Sequence, residues 1–400
     1  MKRVVVIGAG PAGARCAERL AERGMDLSVT LIGDEPDLPY NRVALSKWLA
    51  GDIDADALIT HPSARLASLG ITYRPGLTIT GIDRHGREVS AAGETLAYDA
   101  LVLALGAEAV RLPFPGANLP GVELYRTIAD VRRMIGKAAG GGNAVVIGGG
   151  LLGLEAAVGL ARHGMKVTVL QAVDRLMNRQ LDKAAAALLT RRLENQGISV
   201  VLDAVTEAVE GSASVTGVRL AGGRVIPAEM LVMAVGIRPR AALGRAAGLT
   251  VNRGIVVNEA MRSSDPAIYA IGECAEHGGM CCGLVAPALE QAETAARAIL
   301  GEPAQYRPPA DAATLKIAGA GVWSAGDVEA AGENIVLEDH GAGSYRMLRL
   351  RDNRLVTAVL YGETGDAPWY LDLLTSGTDV GPMRELLAFG SAFFPAEAAA

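Results

Sequence analysis

Cysteine is scarce in this chain, with four residues in 400, at positions 16, 274, 281 and 282, and none of them forms a CxxC pair. That excludes zinc-ribbon and iron–sulfur ligand sets, which need several thiolates at set spacings. Cys281 and Cys282 are adjacent, which is poor geometry for an ordinary disulfide. The four thiols read as small buried residues in a reducing compartment. No segment approaches the ~18 uninterrupted apolar residues of a membrane span. The apolar run after MKR is short, breaks into glycines and lacks a cleavage site, so it does not read as a secretory signal. A basic stripe is also missing: 38 Lys and Arg are dispersed among 44 Asp and Glu, for a net charge of −6, which argues against nucleic-acid binding. The expectation is a cytoplasmic protein with neither a nucleic-acid nor a membrane partner.

Half of the residues are hydrophobic, so the chain is globular, and its length allows two or three domains. One local pattern occurs twice. KRVVVI (2–7) is a buried-strand run followed by GAGPAG and the helical stretch ARCAERLAERG. NAVVI (143–147) is followed by GGGLLG and LEAAVGLARHG. Each helix pattern ends at a glycine, Gly24 or Gly164, and leads into a second β-rich run, LSVTLIG (27–33) or MKVTVLQ (165–171). The two copies lie 140 residues apart. Strand–helix alternation of this kind predicts α/β architecture with doubly wound parallel sheets.

Later apolar runs ending in glycine, DALVLALGAEA (99–109) and EMLVMAVGIRP (229–239), complete the two copies. AIYAIGE (267–273) has no helix partner of its own and is expected to return to the first sheet. The first domain is then discontinuous, 1–110 and 241–305, with a second domain, 111–240, inserted into it. A Pro-rich linker, EPAQYRPPA, leads to a small α+β C-terminal domain, 306–400. Within it SYRMLRLRDNRLVTAVLYG predicts a hairpin turning at Asp352 and Asn353. An Ala-rich tail is expected to fray.

Both glycine turns carry a dinucleotide fingerprint. In the first, Gly8 permits the tight turn, Gly10 admits a pyrophosphate to the backbone, and Gly13 lets helix and strand pack closely. The helix N-terminus offers free N–H groups and a positive dipole end to the phosphate. Asp34 and Glu35 stand where a ribose-binding acid belongs. Gly148, Gly150 and Gly153 form the second fingerprint, but its second strand ends at Gln171. An amide can bond a ribose hydroxyl without repelling a 2′-phosphate, so the choice between NADH and NADPH stays open. Arg162 and Arg175 lie nearby in sequence, Arg175 with the alternative role of fixing the loop. Two such sites in one chain, one interrupting the other, point to a flavoprotein reductase with FAD in the first and NAD(P)H in the second.

The stretch DEPDLPYNRVALSK (34–47) resembles the ferredoxin- and rubredoxin-reductase branch of the glutathione-reductase-like flavoproteins, a three-layer fold, which also includes apoptosis-inducing factor. With YRTIAD (125–130), VVIGGGLLGLEAA (145–157), GIRPR (236–240), SSDPAIYAIGECAE (263–276) and GLVAP (283–287), the chain is most similar to the flavin part of the NAD(P)H nitrite reductase large subunit. The likeness is strong over about 1–300 and weaker from Thr314 to about Leu374. That subunit continues into iron–sulfur and sirohaem domains, for which this chain has no cysteine cluster. The resemblance therefore implies a free-standing flavin module, an electron-transfer subunit of assimilatory nitrate reduction. Its partner would be a nitrate or nitrite reductase subunit or a small iron–sulfur protein.

The resemblance also implies roles. Arg42, Lys47 and Arg126 would bind FAD, Arg42 and Arg126 near the pyrophosphate, and Pro11 and Ala12 belong to the same turn. Ile79 would meet the adenine through its backbone. Ala104, Leu105 and Gly106 occupy an Ala-Thr-Gly turn with Leu in place of Thr, so a hydroxyl bond is lost and a backbone contact is kept. Gly272 and Glu273 fall where an acid reaches the ribityl chain. Pro287 is expected to begin a helix that Gly301 ends. Ala288 and Leu289 would offer amides to the flavin N1/C2 edge, where the dipole stabilises a reduced ring. Leu152 and Gly236 fall in nicotinamide-side motifs. Lys47 and Glu155 would form an ion pair beside flavin N5, where hydride arrives from C4 of the nicotinamide. Such transfer depends on proximity and stacking and needs no acid–base residue.

Two other functions compete. A thiol-dependent reductase of this fold carries a Cys after the first acidic turn, and YNRVALSKW (40–48) has none. Cys281 and Cys282 would have to substitute. A redox-sensing NAD(P)H-binding interaction protein, resembling apoptosis-inducing factor, differs by slow turnover and a long-lived charge-transfer complex.

Overall fold

KRVVVI shows no polar alternation, and the strand it forms, Lys2–Ile7, is buried from Val4 onward. A strand covered on both faces belongs inside a parallel sheet. A computed structural model describes residues 1–24, 26–308, 312–317 and 319–394. In it the chain divides into two compact units. The first comprises Met1–Val110, Arg126–Val131 and Gly236–Pro309; the second comprises Arg111–Tyr125, Arg132–Val235 and Ala310–Ala400.

The first unit is built on a five-stranded parallel sheet. Lys2–Ile7 lies between Leu27–Ile32 and Ala100–Leu103, with Thr72–Arg74 and Ile268–Ala270 at the edges. Ile268 sits opposite Leu101, so AIYAIGE does return to the first sheet. Helix Pro11–Arg23 packs against helix Val285–Leu300. Ala14, Ala17, Ala292, Ala295 and Ala296 are all buried, and short side chains let two helices approach closely.

In the second unit the order repeats. Asn143–Ile147 lies between Lys166–Leu170 and Met230–Met233, all parallel, with Ser199–Val201 and Val122–Leu124 outside them. Residues 236–240, expected on this side, belong to the first unit. There Ile237–Pro239 pairs antiparallel with Ala107–Ala109.

The C-terminal segment forms its own five-stranded antiparallel sheet and the helix Ala367–Ser376. It counts with the second unit. Tyr345 donates to Asp182 at 2.6 Å, and Tyr361 donates to the Leu188 carbonyl at 3.4 Å. The hairpin Ser344–Arg351/Arg354–Gly362 turns at Asp352 and Asn353, whose φ angles are +48° and +55°. Two left-handed residues in a two-residue loop match the twist of the flanking strands. The Ala-rich tail lies outside the described residues. No helix among the described residues is long and apolar enough to cross a membrane.

Arg3 joins the start of the first strand to the start of its neighbour. Its backbone N–H donates to Asp99 at 2.7 Å and its guanidinium at 3.0 Å. These bonds hold the Asp99 carboxyl down at about 2. A depressed carboxylate pKa contributes stability that is complete above about pH 4 and is lost as pH falls toward the folded-state value. Asp99→Asn should therefore flatten the acid limb of a plot of melting temperature against pH; an unchanged limb would show that Asp99 contributes nothing to it.

Candidate functional site: two glycine cradles

The two fingerprints fold into matching turns. Gly8 has φ +108°, and a Cβ there would lie 2.1 Å from the Ala104 carbonyl oxygen. A Cβ on Gly13 would lie 1.8 Å from the Gly8 oxygen. In the second unit a Cβ on Gly148 (φ +113°) would meet Ala234 O at 2.4 Å, and one on Gly153 would meet Gly148 O at 1.9 Å. Gly10 and Gly150 differ from these: nothing lies within 4 Å of an added Cβ at either. Each is the N-cap of its helix, Pro11–Arg23 or Leu151–Arg162, and neither makes a side-chain cap. Each cradle is closed by protein on two sides and open at the helix N-terminus, the shape a pyrophosphate fills.

Arg42 and Arg126 converge in the first unit. Arg42 donates to Glu35 at 2.7 Å and to the Arg126 carbonyl at 2.6 Å. It stacks over Tyr40, whose hydroxyl donates to the other Glu35 oxygen at 2.8 Å. Arg126 pairs with Glu273, and its buried Nε has no hydrogen-bond partner among the described residues. Gly106 (φ +66°) borders that pair, 3.5 Å from Glu273 when given a Cβ. A buried guanidinium N–H left without a partner fits an anionic ligand. Asp34 instead pairs with Arg240 at 2.8 Å. With Gly8, Ile79, Leu105 and Arg253, those two residues line a cavity of about 750 Å³, within the range of small-molecule pockets. Thus Asp34 and Glu35 are neighbours in sequence with separate tasks, one at the cavity and one in the arginine clamp. Lys47 is exposed on the short helix Leu45–Leu49. It belongs to the first unit and Glu155 to the second.

Helix Val285–Leu300 starts two residues before the expected Pro287. Pro287 still falls in the first turn, where an N–H has no intrahelical acceptor. The amides left without such acceptors are then those of Leu284, Val285 and Ala286; Ala288 and Leu289 come one step later. Gly301 ends the helix at φ +81°. Gly272 (φ +73°) leaves 3.3 Å between its would-be Cβ and Ala12, and its N–H donates to Gln291 at 2.8 Å.

Sequence reasoning missed Tyr40, Arg240, Gln291 and Asp130. Asp130 had a signal. Thr127-x-x-Asp130 forms a reciprocal capping box, Thr127 N–H to Asp130 at 2.8 Å and Asp130 N–H to Thr127 at 3.1 Å. Asp130 also accepts the Arg126 N–H at 3.0 Å, so the box sets where Arg126 leaves the chain.

Gln171 in the second unit is 9% exposed and turned inward. Its oxygen accepts the Gly149 N–H at 2.9 Å, and its amide donates to Arg175 O at 3.1 Å and Asn178 Oδ1 at 3.3 Å. Both N–H groups are committed, so the ribose bond expected of it has only an oxygen lone pair left. Arg175 fixes the loop, donating to Leu181 O and Asn178 O at 3.1 Å each. Leu152 is 42% exposed on the helix after the second cradle.

Cys16 and Cys274 are buried, as expected, but Cys281 and Cys282 are only half-buried. Burial pushes the Cys282 thiol up to about 11, with Glu273 adding to it, and raises Cys281 as well. Reactive thiols need the opposite shift.

Gly10→Ala should fold with a melting cost within about 1 kcal/mol and yet lower FAD affinity about tenfold or more. Gly13→Ala should cost about 3 kcal/mol or more, because backbone must move. Equal effects of the two on FAD-free stability would contradict this division of roles.

The profile of the family described as "Pyridine nucleotide-disulphide oxidoreductase" matches residues 2–298, and that of "Rubredoxin NAD+ reductase C-terminal domain" matches residues 312–378. Over 384 residues the chain is 39% identical to the "Assimilatory nitrate reductase electron transfer subunit" of Bacillus subtilis (strain 168), covering 95% of this chain and 50% of that one. It is equally 39% identical, over 390 residues, to "Nitrite reductase [NAD(P)H]" of the same organism, covering 96% and 48%. The chain thus spans about half the length of these curated relatives, so neither speaks for a free-standing flavin module. Among solved structures, the "Ferredoxin Reductase for the CYP199A2 System from Rhodopseudomonas palustris" superposes with a TM-score of 0.91 at 27% identity, covering 100% of both chains. The chain belongs to the pyridine nucleotide-disulphide oxidoreductase family, whose cofactors are FAD and NAD(P)H.

Proposed function

We propose that this chain is an FAD-dependent NAD(P)H:acceptor oxidoreductase that delivers electrons to a partner redox protein. The observation that carries the reading is the repeated cradle: two turns closed by Gly8/Gly13 and Gly148/Gly153 and open only at Gly10 and Gly150. Bound FAD would supply the chemistry, accepting hydride and releasing electrons singly. The first unit would hold it, with Arg126 donating to the pyrophosphate, Asp34 serving the ribose side and Ile79 the adenine. The positive end of helix Val285–Leu300 would stabilise negative charge on the reduced ring. The second unit would hold the nicotinamide dinucleotide at Gly150.

Lys47 of the first unit and Glu155 of the second are each proposed to serve the reacting atoms, the lysine charge favouring the electron-rich flavin. No thiol need take part, since burial shifts both Cys281 and Cys282 away from the reactive thiolate. The acceptor is proposed to be a nitrate or nitrite reductase partner, a reading supported by the names of the Bacillus relatives, and the cytoplasm is proposed as the place. A second reading, a small iron–sulfur protein as acceptor, is favoured by the C-terminal match at 312–378.

The purified protein should be yellow and should reduce ferricyanide with NADH or NADPH. A colourless protein without that activity would sink the proposal. Cys281→Ser/Cys282→Ser should keep turnover, and its loss would revive the thiol mechanism. Lys47→Met should slow flavin reduction about tenfold, corresponding to about 1.4 kcal/mol of barrier; an unchanged rate removes Lys47 from the reacting centre.

A further inference from the structure

We propose that Gln291 is a positioning residue of the FAD site: its side chain holds the Gly272–Glu273 turn so that Glu273 faces the ribityl chain. The proposal rests on the reading of the first unit as the FAD site. It deepens that reading by naming what sets the place of an acid that the cofactor would touch.

Gln291 lies in the middle of helix Val285–Leu300, among buried residues that include Ala288, Ala292, Ala295 and Ala296. It is only 2% exposed. An amide buried among alanines is costly unless its polar atoms are bonded. Its Oε1 accepts the Gly272 N–H at 2.8 Å and faces the Cys282 thiol at 3.9 Å. Its side chain is also hydrogen-bonded to the Tyr306 hydroxyl, which orients the amide. Tyr306, from the Pro-rich linker, is itself buried. Its N–H donates to the Glu259 carbonyl at 2.7 Å, and its ring stands edge-on to His277 at 5.2 Å between centroids. Buried and bonded on both sides, Gln291 acts on a cofactor through its neighbours.

The turn that Gln291 holds is tightly placed. Gly272 has φ +73°, and a Cβ there would stand 3.3 Å from Ala12 and 4.0 Å from Ala288. Gly272 is therefore wedged between the first turns of two helices, Pro11–Arg23 of the first cradle and Val285–Leu300. The strand Ile268–Ala270 has already ended, and Gln291 supplies the acceptor that the buried Gly272 N–H needs. One residue on, Glu273 pairs with Arg126, whose buried Nε has no partner among the described residues. Gly106 borders that pair, its would-be Cβ 3.5 Å from the Glu273 carboxylate. Glu273 thus stands between an anchored turn and a guanidinium left open for an anion. A shift of Gly272 would carry Glu273 with it and move the Arg126 guanidinium. A carboxylate held in this place can accept from the hydroxyls of a polyol chain.

The test compares FAD with ADP, which carries the adenosine and pyrophosphate but lacks the ribityl chain. Gln291→Met keeps the length of the side chain and removes the acceptor. It should raise the FAD dissociation constant about tenfold, measured by calorimetry on the FAD-free protein. Flavin release from the holoenzyme, followed by fluorescence, should quicken by about the same factor. The ADP dissociation constant should change by less than about twofold. In a Glu273→Ala background, Gln291→Met should cost less than about twofold in FAD affinity, because the one residue acts through the other. Equal losses for FAD and ADP would show a role in folding alone and overturn the proposal. Additive losses in the double variant overturn the route through Glu273, and an unchanged FAD affinity in Gln291→Met overturns the whole assignment. Each of these results leaves the reductase reading standing, whereas a wild-type protein that binds no FAD overturns both. If Gln291→Met does not fold, Tyr306→Phe frees the amide to turn and should raise the FAD constant about threefold with ADP unchanged; no difference between the two ligands there overturns the proposal equally.

Discussion

Everything in the candidate site depends on one steric constraint, the approach of bare backbone to backbone at the glycine turns. Gly8 lies against the Ala104 carbonyl and Gly13 against Gly8 itself, at separations where a Cβ would stand 2.1 and 1.8 Å from oxygen. That closeness lets the first strand, the helix after it and the neighbouring strand Ala100–Leu103 share one corner. It also leaves the helix N-terminus open at Gly10. A wider turn would fill the opening with protein or swing the helix dipole away from it.

Around that corner the first unit arranges charge in a chain. Glu35 holds Arg42, Arg42 holds the Arg126 carbonyl, and Arg126 holds Glu273. The four residues come from three separated stretches of sequence. Each half-buried arginine has a carboxylate beside it, Glu35 for Arg42 and Glu273 for Arg126, as partial burial demands. Arg126 Nε is buried without a partner among the described residues, which fits an anion at that point. The capping box at Thr127 and Asp130 also holds the Arg126 backbone N–H.

The two cradles have diverged at one position. Both keep the three glycines and the open N-cap, but the first retains two acids after its second strand, while the second has Gln171. The acids separate into a cavity residue and a clamp residue. Gln171 turns inward and joins the turn to its own loop, which Arg175 links to Glu329 of the C-terminal segment. The same backbone shape thus recurs in both turns, with different side chains one step beyond it.

Glycine spacing, apolar runs and turn chemistry are local, and they are legible without a structure. They foretold both βαβ copies, the return of AIYAIGE to the first sheet and the Asp352–Asn353 turn, because each depends on backbone sterics or on the burial of a contiguous run. The start of helix Val285–Leu300 was misjudged because Pro287 is tolerated anywhere in a first turn. What only the tertiary structure decided was orientation. Asp34 and Glu35 look interchangeable in sequence, yet one meets Arg240 and the other Arg42. Gln171 reads in sequence as a ribose ligand, and in the fold its side chain also ties Gly149 to Arg175 and Asn178. Which way a polar side chain turns is determined by partners that arrive from distant segments, and no local pattern encodes their arrival.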